Sequence, residues 1–138
     1  MQLSRIIKTE KGTAERNRLS RGIVLAIREL MQQSQPDEKS LDLASFIALS
    51  LLEIYNTIDK SAAAWEKRDY WIKADRFRRE WEWTKVLGDS MHDAVLNQDW
   101  GTIAMNSVSI GQRLNRVKVG QRHRLGTPWV GAWKKLIK

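Results

Sequence analysis

The sequence predicts an all-α protein, a compact bundle of about five helices closed by a short C-terminal helix. Three observations carry this. Only two prolines and eight glycines punctuate 138 residues. Alternating β-branched runs of the kind that build strands are nearly absent. Every long segment repeats its apolar residues at helical spacing. The length fits one domain over residues 1–138, large enough to bury a core without a disulfide or metal staple.

The first helix is expected from about Thr13 to Ser34, with residues 1–12 as a flexible lead-in. Leu19, Ile23, Ala26, Ile27, Leu30 and Met31 form its apolar stripe, and Arg18, Arg21 and Arg28 fall on the other side. Ser34-Gln35-Pro36-Asp37 ends it, because a residue before proline is pushed out of the helical region. The second helix starts near Ser40 and runs to about Ile58. It is apolar nearly all round (Leu41, Leu43, Phe46, Ile47, Leu49, Leu51, Leu52, Ile54, Tyr55), as a central buried helix should be. Its most apolar stretch, Leu41 to Leu52, is interrupted by Asp42, Ser45 and Ser50. It falls short of the roughly 20 apolar residues that cross a bilayer.

A third helix is expected over about Ser61 to Leu87. Tyr70, Ala74, Phe77 and Trp81 recur at helical spacing and make a core seam. Trp65, Ile72 and Trp83 fall on a second face together with Arg68, Arg76 and Arg79. Aromatic residues mixed with arginine are the composition of interface hot spots, so this face is the candidate subunit interface. Gly88 reads as a helix stop, followed by a short fourth helix from Ser90 to Gln98. Asp99 caps a fifth, whose stripe is Trp100, Ile103, Ser107, Ile110, Leu114 and Val117 and which ends near Gly120. Opposite that stripe lie Asn106, Ser109, Gln112, Arg113 and Arg116. Residues 121–138 then form a basic loop and a short terminal helix, with Thr127-Pro128 as its N-cap and first position. Trp129 and Trp133 share one side of that helix and dock it on the bundle or on a partner subunit, so they join the candidate interface.

The net charge of +8 is polarised. Residues 1–36 hold seven Lys/Arg against three acids, and residues 37–99 hold nine against thirteen. Residues 100–138 hold eight and no acid. The first two stretches cancel, so the C-terminal 39 residues equal the charge of the whole chain. A one-sided basic surface is the electrostatic footprint of a polyanionic partner. Arg113, Arg116, Lys118, Arg122 and Arg124 are the candidate phosphate contacts, since the planar guanidinium fork suits phosphate and Asn106, Ser109, Gln112 and Asn115 supply polar helpers. Arg18, Arg21 and Arg28 extend the path if the first helix lies alongside.

Reacting groups are scarce. There is no cysteine, which excludes disulfides and thiol chemistry and fits a reducing compartment. The N-terminus has no apolar leader. The two histidines, His92 and His123, lie in different segments, and Asp89, His92 and Asp93 read as the acidic first turn of a helix. No metal and no cofactor are expected. Glu66, Asp69, Glu80 and Glu82 lie among Lys and Arg at ion-pair spacing. Gly126-Thr127-Pro128 lacks the lysine of a phosphate-binding loop. The expectation is a binding protein and not an enzyme.

Two stretches carry a family resemblance. AWEKRDYWIKADRFRREWEW (Ala64 to Trp83), following FIALSLLEIYNTI (Phe46 to Ile58), resembles the C-terminal helical part of the type I-D CRISPR large subunit. Size, basicity and all-α class are also similar to the CRISPR small subunits of Cascade-type complexes. The resemblance implies a cytoplasmic, non-catalytic helical subunit present in several copies, packed against other subunits. It would hold a DNA strand or guide RNA by its backbone while base pairing reads the sequence. No residue role carries over, because small subunits share no residue motif. Three other readings stay open: a helical scaffold protein, a membrane-surface protein anchored by Trp129, Trp133 and the terminal lysines, and an enzyme built around Asp89/His92 or Glu66/Asp69.

Overall fold

In the computed structural model α1 (Gln2–Met31), α2 (Glu38–Glu66), α3 (Trp71–Leu96), α4 (Trp100–Arg113) and α5 (Ala132–Leu136) follow one another, with no strand among the described residues. The structure describes the backbone of residues 2–138 and the side chains from residue 12 onward. The flexible lead-in expected over residues 1–12 falls largely on side chains outside the described residues.

Each helix boundary has a local cause. α1 begins well before Thr13, since nothing between Gln2 and Lys11 breaks a helix. Gly12 costs a helix interior roughly 1 kcal/mol. A Cβ there would meet Arg16 Nη1 at 3.3 Å, so the arginine occupies the space the glycine leaves. α2 starts at Glu38 because the Asp37 carboxylate accepts hydrogen bonds from the Ser40 N–H at 2.9 Å and the Ser40 hydroxyl at 3.0 Å.

α2 continues past Ile58 to Glu66, so the break expected between the second and third helices is displaced. The chain turns instead at residues 67–70. The Tyr70 N–H donates to the Trp65 carbonyl and the Asp69 N–H to that of Glu66, both at 3.0 Å, with Asp69 at φ 65°. This paired closure is the Schellman motif, with aspartate in the left-handed position that glycine usually fills. A second copy closes α3, where the Asp99 N–H donates to the Ala94 carbonyl at 2.8 Å and Gln98 takes φ 50°.

The expected stop at Gly88 is corrected: α3 runs straight through it and absorbs the short fourth helix. Gly88 is there for space. A Cβ on it would meet Leu52 Cδ2 at 2.9 Å and Leu51 Cβ at 3.2 Å, so α2 and α3 approach too closely for any side chain. Asp99 caps α4 as expected, its carboxylate accepting from the Thr102 N–H at 3.2 Å. α4 ends at Arg113, seven residues before Gly120. The last helix is shorter than expected and begins at Ala132; its N-cap is Gly131 at φ 84°, not Thr127. Asp42 of α2 completes that terminus by accepting from the Gly131 N–H at 3.2 Å and the Trp133 N–H at 3.0 Å.

α2 packs against α1, α3 and α5, while α4 lies on α3 and touches α1. Lys39 meets Glu29 and Arg16 meets Thr57, so α1 and α2 run antiparallel. Arg78 meets Glu66 and Gly88 lies on Leu52, so α2 and α3 do too. Ile23, Leu43, Ile47, Leu51, Ile54, Ile58, Met91, Val95, Ile103 and Ile110 are the fully buried centre. At its full length α2 is long and apolar enough to cross a membrane, with mean hydropathy 1.4 over its best window. Here it spends that apolar surface as the core helix of the bundle.

Candidate nucleic-acid interface

The C-terminal segment is a strap, pinned at intervals by apolar side chains. Past Arg113 one tight turn follows, the Val117 N–H donating to the Leu114 carbonyl at 2.9 Å. Side chains then alternate: Val117 and Val119 turn inward, while Arg116 and Lys118 are exposed. Val117 packs on the core, and the Val119 carbonyl accepts a hydrogen bond from Arg28 Nη2 at 3.0 Å. Further on, the Leu125 N–H donates to His123 Nδ1 at 3.2 Å. Leu125 and Trp129 return to the core, leaving Arg122 and Arg124 in solvent. Among the described residues every ion pair lies between residues 15 and 89. None reaches the eight cations from Arg113 to Lys138.

The first helix does lie alongside, since Arg28 bonds the strap directly. Arg28 is half-buried and spends one N–H on that carbonyl. Arg21, two turns back on the same face, is exposed with no carboxylate partner among the described residues. Arg18 is exposed but bonded to Glu15, which raises its pKa.

Arg113 and Arg116 do not share a helical face, a correction that follows from the early end of α4. Arg116 sits in the turn beyond it. The Arg113 guanidinium lies 5.8 Å from the Trp83 ring centroid, a cation–π distance. It stands at the mouth of an α3–α4 groove of about 670 Å³ that Arg79, Glu82, Ser109 and Gln112 also line. Arg79 is paired with Asp75 at 3.1 Å, and Glu80 lies beside Glu82, so this groove carries both signs. Asn106 is used structurally, its Nδ2 donating to Ser90 Oγ at 3.0 Å. Asn115 is exposed beside the strap.

The expected aromatic face on the third helix does not exist as one surface. The turn at 67–70 leaves Trp65 on α2, packed on Phe77 at 4.9 Å under the Lys73 ammonium at 4.5 Å. Trp83 lies half-buried against the core, stacked near Trp81 at 6.4 Å. Only Arg68, Ile72, Arg76 and Arg79 remain exposed. Of the two dockings expected of Trp129, on the bundle or on a partner subunit, the bundle is the one found: Trp129 is 5% exposed and belongs to the chain's own core. Trp133 packs beside it, half-buried. These are the tryptophans that a membrane anchor would have to insert.

Two features escaped the sequence reading. Arg16 is 9% exposed, with its guanidinium 5.3 Å from the Phe77 ring and hydrogen bonds to Thr57 Oγ1 and Thr13 Oγ1 at 3.3 and 3.2 Å. Burial lowers its pKa. Its place three residues before Leu19, on the apolar stripe, was the available signal. The other is the exposed run Tyr70-Trp71-Ile72 at the α2–α3 turn, where Tyr70 leaves the core seam expected of it.

Among the described residues no group of three or more His, Asp or Glu could hold a metal ion. Asp89 bonds Lys85 at 2.8 Å. Glu66 bonds Arg78, and that contact lowers the Glu66 pKa. The fold and the surface together define an all-α bundle carrying a cationic strap. Comparison of the chain with family models, with curated proteins and with solved structures gives no match.

Proposed function

We propose that this chain is a non-catalytic helical subunit that binds nucleic acid through the phosphate backbone, without reading sequence. The observation that carries the reading is the strap. Arg116, Lys118, Arg122 and Arg124 project from a segment held in place by Val117, Leu125, Trp129 and the Arg28 hydrogen bond. A solvated basic face normally intersperses acids; this one has none over 39 residues. Pinned cations also lose less freedom on meeting phosphate than a loose tail would. The resemblance of residues 46–83 to CRISPR effector subunits supplies a setting. In it, copies of the chain pack with other subunits in the cytoplasm and hold a DNA strand or guide RNA that base pairing has selected.

The test is a salt titration. Four or five phosphates neutralised on duplex DNA give a log–log slope of about −4, so affinity should fall roughly 250-fold between about 50 and 200 mM salt. Arg113→Ala with Arg116→Ala should flatten the slope by about 2 and weaken unrelated sequences equally. A salt-insensitive titration, or one that the double variant leaves unchanged, removes the reading.

A further inference from the structure

The turn between α2 and α3 presents the most exposed large apolar side chains in an unbroken run. Tyr70 is 55%, Trp71 59% and Ile72 74% exposed. Trp71 is the one tryptophan of the seven that stands open to solvent; the other six are buried or half-buried. Exposed Lys67, Arg68, Lys73 and Arg76 surround the run. Of the acids close by, Asp75 is paired with Arg79 and Glu66 with Arg78, leaving Asp69. The Schellman closure fixes the backbone here, so these side chains stand on a defined turn and not on a loose loop. A neutral or cationic partner does not need four cations around two aromatic rings. A polyanion with flat faces does.

We propose that this tip stacks unpaired bases on Trp71 and Tyr70 while the surrounding Lys and Arg meet the adjoining phosphates. The protein would then favour single-stranded over duplex nucleic acid. The proposal rests on the nucleic-acid reading above and adds the strand class. Stacking on aromatic rings is tolerant of base identity and requires bases freed from a duplex. Asp69, at the leading point of the turn, stays in water in this arrangement; insertion into a bilayer would have to bury that carboxylate. Position matters too. Arg16 on α1 meets Phe77 on α3, so the tip lies six residues beyond that level and Arg28, which bonds the strap, twelve residues the other way. At about 1.5 Å per residue the tip and Arg28 are about 27 Å apart along the bundle axis, so a strand that met both would have to run along the bundle.

The experiment compares an oligothymidylate of about twenty nucleotides with a duplex of similar length, by anisotropy, for the full chain. Wild type should bind the single strand more tightly. Tyr70→Ala with Trp71→Ala should lose about tenfold or more on the single strand and leave duplex affinity unchanged. Trp71→Phe should keep most of the affinity but abolish the fluorescence quenching that the oligonucleotide causes in wild type. Equal loss on both substrates, or no loss on the single strand, overturns the proposal while the strap reading stands. Wild type that binds neither substrate overturns both. Two further outcomes also count against it while single-strand binding is unchanged: tip-dependent sedimentation with phosphatidylserine vesicles, and tip-dependent self-association in the ultracentrifuge. The first would assign the tip to membranes, the second to a second copy of the chain.

Discussion

Asp42 shows how much one side chain can decide. It sits on the central helix among Leu41 and Leu43, where an acid looks like an interruption of an apolar run. Its carboxylate instead accepts from the Gly131 and Trp133 N–H groups, 89 and 91 residues away, and so completes the free N-terminus of α5. A five-residue helix cannot hold itself together in water. This bond and the burial of Trp129, Ala132 and Leu136 keep it folded. Asp42→Ala should therefore cost about 1–2 kcal/mol in urea denaturation and speed amide exchange selectively over residues 129–136. Asp42→Asn keeps an acceptor and should recover most of the loss. Uniform exchange across the bundle in Asp42→Ala would show that α5 does not depend on this contact.

At the scale of elements, the helices themselves were legible and their ends were not. The stripes Leu19/Ile23/Ala26 and Ile103/Ser107/Ile110 are buried where the 3.6-residue period puts them. Glycine and proline were the punctuation available to a reader, and they mislead twice here. Gly88 does not stop a helix, and the real turns at Asp69 and Gln98 contain neither residue. The reason is tertiary. Packing of α2 on α3 selects where the chain reverses, and the left-handed cost at Asp69 and Gln98, about 1–2 kcal/mol each, is outweighed by the core it closes. Gly88→Ala should destabilise by about 1–3 kcal/mol, since its Cβ meets Leu51 and Leu52 at a helix crossing. Gly111→Ala is the contrast. It lies in α4 with nothing within 4 Å of its Cβ, and should stabilise by about 0.5–1 kcal/mol through helix propensity alone. Equal effects of the two substitutions on the urea midpoint would contradict the close approach at Gly88.

For the whole molecule, charge was the most readable property and the way it is held was the least. The cations of the strap could be counted from the sequence, because a run without acids needs no structure to detect. That Arg113 meets Trp83, thirty residues away, depends on α3 and α4 pairing side by side, which no local pattern encodes. The same charge distribution sets the response to acid. Asp37 and Asp99 have lowered pKa values because each carboxylate accepts hydrogen bonds at a helix N-terminus, from Ser40 and Thr102 respectively. Glu66 is lowered by its bond to Arg78. A carboxylate with a depressed folded-state pKa contributes stability that is present above its unfolded value, about 4. That stability is lost as pH falls through the lower folded values. Protonation of the acidic middle also leaves the cations at both ends of the chain uncompensated, which adds self-repulsion to the loss of the caps. Urea midpoints should therefore change little between about pH 7 and 5 and fall steeply below about 4. Added salt should soften that fall by screening the repulsion. Asp37→Asn with Asp99→Asn should make the acid limb shallower, because asparagine caps about as well as aspartate and does not titrate. An acid limb of unchanged steepness in that double variant would mean that the caps do not set the acid response and would leave the global charge as its cause.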